Sequence, residues 1–244
     1  MPRTPRRERH DRPEGKGTRA LGRPARLSRE LVVTAAVSVV RAHGLHGLTM
    51  RALADELGAT PMALYRHVGD RDELALLVID ALFSGLELPD DGLPAIAWLR
   101  ELAHQIRALG RAHPGVMDVL LEEGPVVRST LVILDRVVRK LHGEGLGWKT
   151  AAAVHNTFLS WVAATVRREE RWAARGPGGT PPLERFLGVA ATMPAAEFPG
   201  LAHVLAHMPG ADVDTEFERS LDFMLDGVTS KLATAGARSA SKRR

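Results

Sequence analysis

The chain has 244 residues, 45% hydrophobic and 25% charged, which is the composition of a globular protein and not of a disordered one. It contains no cysteine, so disulfides, thiol nucleophiles and Cys-ligated zinc are excluded. No apolar run reaches the ~18 residues that a membrane span needs. The net charge of +4 hides an asymmetry: residues 1–26 carry nine Lys/Arg against three acids, residues 238–244 carry Arg238, Lys242, Arg243 and Arg244, and the body between them has 20 basic against 26 acidic residues. Basic ends on a mildly acidic body suit a polyanionic partner; the alternative is that they are solubilising, unstructured tails. The basic N-terminus is followed by no apolar h-region, so no secretory signal is expected, and a reducing, cytoplasmic setting suits the chain.

Residues 1–26 are rich in Arg, Pro and Gly without periodicity and read as a disordered arm. Beyond them the apolar spacing is helical throughout, which predicts an all-α protein. A first helix is expected over 29–42, N-capped by Ser28 and stopped at Gly44. A second runs over 50–57 after Thr49 and ends at Gly58. A third opens at Thr60-Pro61, a good cap followed by the one helical position where proline costs no hydrogen bond, and ends near His67. A fourth starts at Asp70 with Glu73 as its capping-box partner and runs to about Leu86.

Pro89-Asp90-Asp91-Gly92 signals a turn. Further helices are expected at about 94–112, 115–122, 126–143 and 148–174. In the 126–143 segment Val127, Leu131, Leu134, Val138 and Leu141 share one face. The stretch 151–166 is apolar nearly all round, which predicts burial on several sides, a subunit interface included. Residues 175–183 read as a loop, 198–207 as a short helix, and 212–233 as a last helix with Phe217, Leu221, Met224, Leu225, Val228 and Leu232 on its apolar stripe.

The informative stretch is Leu48 to Val68. Two short helices are joined by the link Gly58-Ala59-Thr60; Leu53, Leu57 and Leu64 supply a shared core, and Ala54 is small enough for close packing. This spacing is that of a helix-turn-helix, whose second helix enters the DNA major groove. An ordinary αα corner is the alternative. No Gly-rich phosphate loop, Gly-x-Ser-x-Gly or His-Glu-x-x-His occurs. Asp90-Asp91 and Glu122-Glu123 are adjacent only in sequence, so they are poor acid/base pairs. The chain is not expected to be an enzyme, and no metal or cofactor is implied.

Residues 28–74 resemble the N-terminal domain of the TetR family of transcriptional regulators. The resemblance rests on Gly-Leu-Thr-x-Arg-x-Leu-Ala-x-x-Leu-Gly after an amphipathic first helix, then Leu64-Tyr65-x-His67-Val68, then Asp72-Glu73-Leu74. The stretch from Phe217 to Val228 resembles the last helix of the tetracycline-repressor subgroup. Between the basic arm (1–26) and basic tail (236–244) read from charge, the resemblance implies a DNA-binding domain (27–74) and a ligand-binding and dimerisation domain (75–235). It also implies a homodimeric repressor that binds a palindromic operator in double-stranded DNA and is released by a small-molecule effector. An activator, or a constitutive DNA-binding protein without ligand control, is the alternative.

Site residues follow from the resemblance and from side-chain chemistry. Thr49 can cap its helix and donate to a phosphate. Arg51 stands where the family places a base- or backbone-contacting residue, and both it and Arg66 can read guanine bidentately. Thr60, Pro61, Met62 and Ala63 lie where the family reads bases; Pro61, Met62 and Ala63 carry no donor and can only touch thymine methyls or shape the surface. Tyr65 and His67 match phosphate-binding positions, with a core aromatic as the alternative for Tyr65. Arg71 is a further expected phosphate contact. Arg23, in Gly22-Arg23-Pro24, suits a minor groove or plain phosphate attraction.

For the effector the expected lining is Trp98, Leu102, His104, Ile106, Met117, Leu120, Val154, His155, Phe158 and Trp161. A satisfied core or surface histidine is the alternative for His104 and His155. Leu102, Leu120 and Glu123 stand where the tetracycline repressors hold their drug–magnesium complex, so that mode is not expected here. The dimer is expected to form through the 148–174 helix and the last helix, with Phe158, Trp161, Leu221, Met224 and Leu225 at the contact or, alternatively, in the protomer core. The fourth helix is the expected lever between reader and core.

Overall fold

The computed structural model describes residues 27–175, 182–207 and 212–241. Eleven α-helices occur among them, and no strand. None of these helices is long and apolar enough to cross a membrane.

Local capping chemistry places the first four helices. Ser28 Oγ accepts the Leu31 amide at 3.2 Å and opens α1 (Arg29–His43), whose Val32, Ala36, Val39 and Val40 are buried at helical spacing. A single 3-10 turn, Leu45–Gly47, follows. Thr49 Oγ1 accepts the Ala52 amide at 3.0 Å and opens α2 (Met50–Leu57). Gly58 ends α2 at φ 58°, ψ 34°, the left-handed conformation that a side chain disfavours. Thr60 then accepts from Ala63 and starts α3 (Pro61–Leu64), which is shorter than expected: the Tyr65 amide still reaches the Pro61 carbonyl, but Arg66 and His67 close in tight turns onto the Ala63 and Leu64 carbonyls instead of continuing the helix. Leu53, Ala54 and Leu64 are fully buried where the two helices meet.

Asp70 caps α4 (Arg71–Ser84) by accepting from Glu73 at 2.8 Å. The reciprocal bond of the expected capping box moves one residue out: Glu73 accepts from Gly69, not from Asp70, and its other oxygen holds Arg29 at the start of α1. Helix α4 passes unbroken through the expected domain boundary at 74 and packs on both α1 and α7.

The C-terminal core is built from α5 (Ala95–Ala112), α6 (Val116–Glu123), α7 (Arg128–Gly143) and α8 (Trp148–Ala173). Helix α8 runs through its centre against α5, α6 and α7. Helices α9 (Pro182–Ala190) and α10 (Pro199–His207) lead to α11 (Val213–Ser241), which packs on α5 and α8. Helix α9 starts inside the stretch read as a loop, and α11 extends past 233 through most of the expected basic tail.

Two faces differ from the sequence expectation. On α7 the buried row is Thr130, Ile133, Val137 and Leu141, while Leu131 is half exposed. The expected stripe shares Leu141 but is otherwise turned by one residue, because two adjacent rows of this helix carry apolar residues and packing against α8, α4 and α5 selects between them. Helix α8 is buried along one side only. Ala152, Ala153, Asn156, Thr157, Ser160 and Ala164 face outward.

The link after α1 meets the turn before α6 at close range. The Leu45 amide donates to the Pro114 carbonyl at 2.7 Å. Gly115, at φ 87°, makes this approach possible: a Cβ there would lie 3.1 Å from the Leu45 Cβ.

Candidate nucleic-acid interface and effector region

The first turns of α2 and α3, with the turn that follows α3, present one outward surface. Thr49, Arg51, Thr60, Pro61, Met62, Tyr65 and Arg66 are exposed, and Ala63 and His67 are half-buried. Met62 is 70% and Tyr65 47% exposed. A core role for Tyr65 is therefore excluded; Leu64 and Val68 fill the core on either side of it. Thr49 and Thr60 use a lone pair in capping, which leaves each hydroxyl proton to donate outward.

Arg51 and Arg66 form no hydrogen bond or ion pair among the described residues. Two exposed guanidinium groups therefore flank a patch whose centre, Pro61-Met62-Ala63, has no side-chain donor. Arg71 departs from the expected phosphate role. Its Nε donates to Leu48 O at 3.0 Å and a terminal nitrogen to Leu45 O at 3.2 Å. It bonds the Leu48 carbonyl and adds a second donor to the Leu45 carbonyl, which already accepts the Leu48 amide, and so ties the link between α1 and α2 to α4. Arg23 and the arm lie outside the described residues.

The effector region differs more from expectation. Trp98, Leu102, Ile106, Met117 and Phe158 are at most 1% exposed, and Leu120 is buried. They interlock as the core of the C-terminal domain, with the Trp98 indole N–H donating to Pro89 O at 2.9 Å. His104 sits on the surface, 3.4 Å from Glu218 and tilted against the Phe217 ring. His155 is buried: Nδ1 meets Asn156 Oδ1 at 3.2 Å, Nε2 has no partner, and burial lowers its pKa. Trp161 is half-buried against Phe217.

Of the residues expected to hold the dimer, Phe158, Leu221 and Leu225 are buried within the protomer. The outward sides of α8 and α11 are the small residues of α8 and Phe223, 74% exposed. A groove of about 560 Å³ runs between the two helices past Ala153, Val154, Thr157, Phe223 and Met224. Met224, expected at the dimer contact, lines this groove, as does Val154, expected in the effector lining.

Sequence reasoning missed a buried ion cluster that seats α11. Arg107 of α5, 6% exposed, binds both Glu169 oxygens, one terminal nitrogen lying 2.8 Å from Oε1, and also reaches Asp214 Oδ1 at 2.7 Å. Arg111 binds Glu169 Oε2 and Asp214 Oδ1, each at 2.8 Å. The Arg107 guanidinium lies over the Phe217 ring, 4.0 Å from its centroid. Arg111, and then Arg107, hold the Asp214 carboxyl below its ordinary pKa. The available signal was an arginine and a glutamate on otherwise apolar stripes of α5 and α8.

An exposed reading surface on a capped two-helix corner, carried by an all-helical core, defines a helix-turn-helix DNA-binding protein. Known families agree. Residues 32–78 match the bacterial regulatory proteins of the tetR family, and residues 88–232 match the tetracyclin repressor-like C-terminal domain. The chain belongs to the tetR family of transcriptional regulators; it is a DNA-binding regulator and not an enzyme.

It is 28% identical over 217 residues to an HTH-type transcriptional regulator of Saccharopolyspora erythraea, covering 86% of each chain. It is 29% identical over 228 residues to the HTH-type transcriptional repressor DrrR1 of Streptomyces coeruleorubidus, covering 88% of this chain and 82% of that one. The structure is similar to that of ActR from Streptomyces coelicolor in complex with actinorhodin, with a TM-score of 0.73 and 28% identity over 85% of this chain and 99% of that one.

Proposed function

We propose that this chain is a homodimeric repressor that binds a palindromic operator and is released by a small molecule. The observation that carries the reading is the exposed surface with the two unpaired guanidiniums of Arg51 and Arg66 around Met62. Arg51 and Arg66 read base edges, Met62 and Ala63 touch thymine methyls, and Thr49, Tyr65 and His67 hold phosphates. One such unit buries little surface, so two protomers bind half-sites about 34–36 Å apart. They pair through the outward faces of α8 and α11, where small residues permit close helix approach and Phe223 would otherwise stay in water.

Likeness to a named repressor and to a regulator that binds a small molecule supports repression and ligand control. Release is a population shift: a ligand that prefers one spacing of the two readers draws the dimer toward it, and a tenfold loss of operator affinity needs about 1.4 kcal/mol of coupling. Helix α4, common to reader and core, is the lever.

The test is fluorescence anisotropy on the DNA upstream of the chain's own gene, over a salt series. Tight binding of two protomers, specific against scrambled DNA and weakening steeply with salt, is expected. No preferred site, either there or in a genome-wide selection, would refute the repressor reading and leave the fold.

A further inference from the structure

The charge of α11 is segregated along its length. Residues 213–226 carry five acids and one arginine, whereas residues 227–244 carry five basic residues and no acid. The acidic half is used by the fold: Asp214 pairs with Arg107 and Arg111, and Glu218 and Asp222 pair with Arg100. Lys231, the first cation of the basic half, is exposed and forms no hydrogen bond or ion pair among the described residues.

The same pairs fix the direction of the helix. Helix α5 runs toward the reader, and the Pro114 carbonyl just past its end accepts the Leu45 amide. Asp214 lies against the last turns of α5, beside Arg107 and Arg111, and Asp222 lies further back, beside Arg100. Lys231 is level with Lys149 in the first turn of α8. Helix α11 therefore runs away from the reader. At about 1.5 Å per residue the stretch from Asp214 to Ser241 spans about 40 Å, about 15 Å of it past Lys231. Lys242, Arg243 and Arg244 follow in the sequence and could add only ~10 Å if fully extended. The basic arm joins the chain at the opposite pole: α1 begins with Arg29, which holds Glu73 at the start of α4, beside the turn that follows α3. The two basic ends, which the charge pattern alone assigns to one polyanion, therefore cannot share one binding surface.

We propose that the far end of α11 binds a second DNA duplex while the reader holds the first, so that the protein bridges two DNA segments. Lys231, Arg238 and the run Lys242-Arg243-Arg244 neutralise phosphates of the second duplex, without sequence preference. Two observations favour DNA over other polyanions. Residues 233–244 contain no apolar side chain larger than alanine, so this end has nothing to insert into a lipid surface. The reader also sits on DNA, and this tether raises the effective concentration of flanking duplex at the opposite pole. In the dimer proposed above both readers face one operator, so both copies of α11 end at the same pole and their charges add; this doubling rests on that reading.

The test is a capture assay with the full-length protein. A biotinylated operator duplex is immobilised and saturated with protein, and a fluorescent duplex of unrelated sequence is then offered over a salt series. Retention of the second duplex is expected. With about four phosphates neutralised per tail, it should weaken by about two orders of magnitude between about 50 and 200 mM salt. R238Q/K242Q/R243Q/R244Q should retain at least about tenfold less, with operator anisotropy unchanged within about twofold. Undiminished retention, with or without a lower melting midpoint, overturns the proposal: the tail then does no more than complement the helix dipole. A variant that loses operator affinity as far as it loses retention overturns the separation of the poles. Phosphatidylglycerol vesicles or polyglutamate, added at equal charge, should displace the second duplex less well than unlabelled duplex does; better displacement by either overturns DNA as the occupant. If no operator exists, the repressor reading fails at the first binding step, and two unrelated duplexes at low salt still decide the bridging through the same contrast between wild type and variant.

Discussion

Replacing Glu169 with alanine removes the buried one of the two carboxylates, Glu169 and Asp214, that Arg107 and Arg111 share. Arg107 is 6% exposed and would keep only Asp214, the Val213 carbonyl and the Phe217 ring. Removing one member of a buried ion pair strands the other, which costs about 3–5 kcal/mol, against roughly 0–1 kcal/mol for an exposed pair. The lost contacts are short and charge-assisted, 2.8 Å from an Arg107 terminal nitrogen and 2.8 Å from Arg111 Nε, but Asp214 still pairs with Arg107 at 2.7 Å, so the lower end of the range applies.

Urea unfolding followed by circular dichroism, at fixed protomer concentration because association shifts apparent stability, would measure it. The cluster also seats the first turn of α11, so Glu169→Ala should weaken dimerisation in the same samples. The companion variant is Arg107→Met with Glu169→Leu, which leaves no stranded charge and should cost less than Glu169→Ala alone. A Glu169→Ala loss below about 1 kcal/mol, the value of a surface pair, would refute the reasoning. So would a double variant less stable than the single.

Three further outcomes are expected. Gly110→Ala would set a Cβ 2.6 Å from Val166 Cγ1 and 2.9 Å from Met117 Cε, and should destabilise by about 1–3 kcal/mol despite alanine's better helix propensity; a neutral urea midpoint would refute the close α5–α8 approach. His155, with its pKa lowered by burial, resists the proton that the unfolded chain accepts near 6.5, so stability should fall as pH drops below about 6.5 and level off below the folded pKa. Stability curves of wild type and His155→Asn that stay parallel from about pH 7 to pH 5 would contradict this. For Met62, replacing the contacted operator thymine by uracil removes one methyl and should weaken binding about fourfold, the equivalent of one buried carbon; uniform tolerance of uracil across the half-site would remove Met62 from the reading surface.

Much of the reader was legible because its signals are local. Ser28, Thr49, Thr60 and Asp70 each accept an amide three residues ahead, and Gly58 takes a conformation that its own residue type allows. A short-range bond of this kind depends on neighbours in the chain and not on the rest of the fold. The exposure of Met62, Tyr65 and Arg66 follows from the same spacing. Helix order in the core was legible too, since each apolar stripe runs at the helical period.

Tertiary contact decided the remainder. Two apolar rows on α7 satisfy the same period, and packing against α8, α4 and α5 buries Ile133 and Val137 rather than Leu131. Phe158, Leu221 and Leu225 suit a dimer seam or a protomer core equally well by composition; the packing of α11 on α5 and α8 buries them within the protomer. Arg71 had carbonyls 23 and 26 residues away as its partners, and Arg107 a carboxylate 62 residues away. The sequence by itself determined most of the helices, the caps of the first four and which residues of the two-helix corner are exposed, because these depend on backbone hydrogen bonds and periodicity within a few residues. Which apolar face is buried, which charges are paired and where a groove stays open were decided only when distant segments met, because burial and desolvation are properties of the assembled volume.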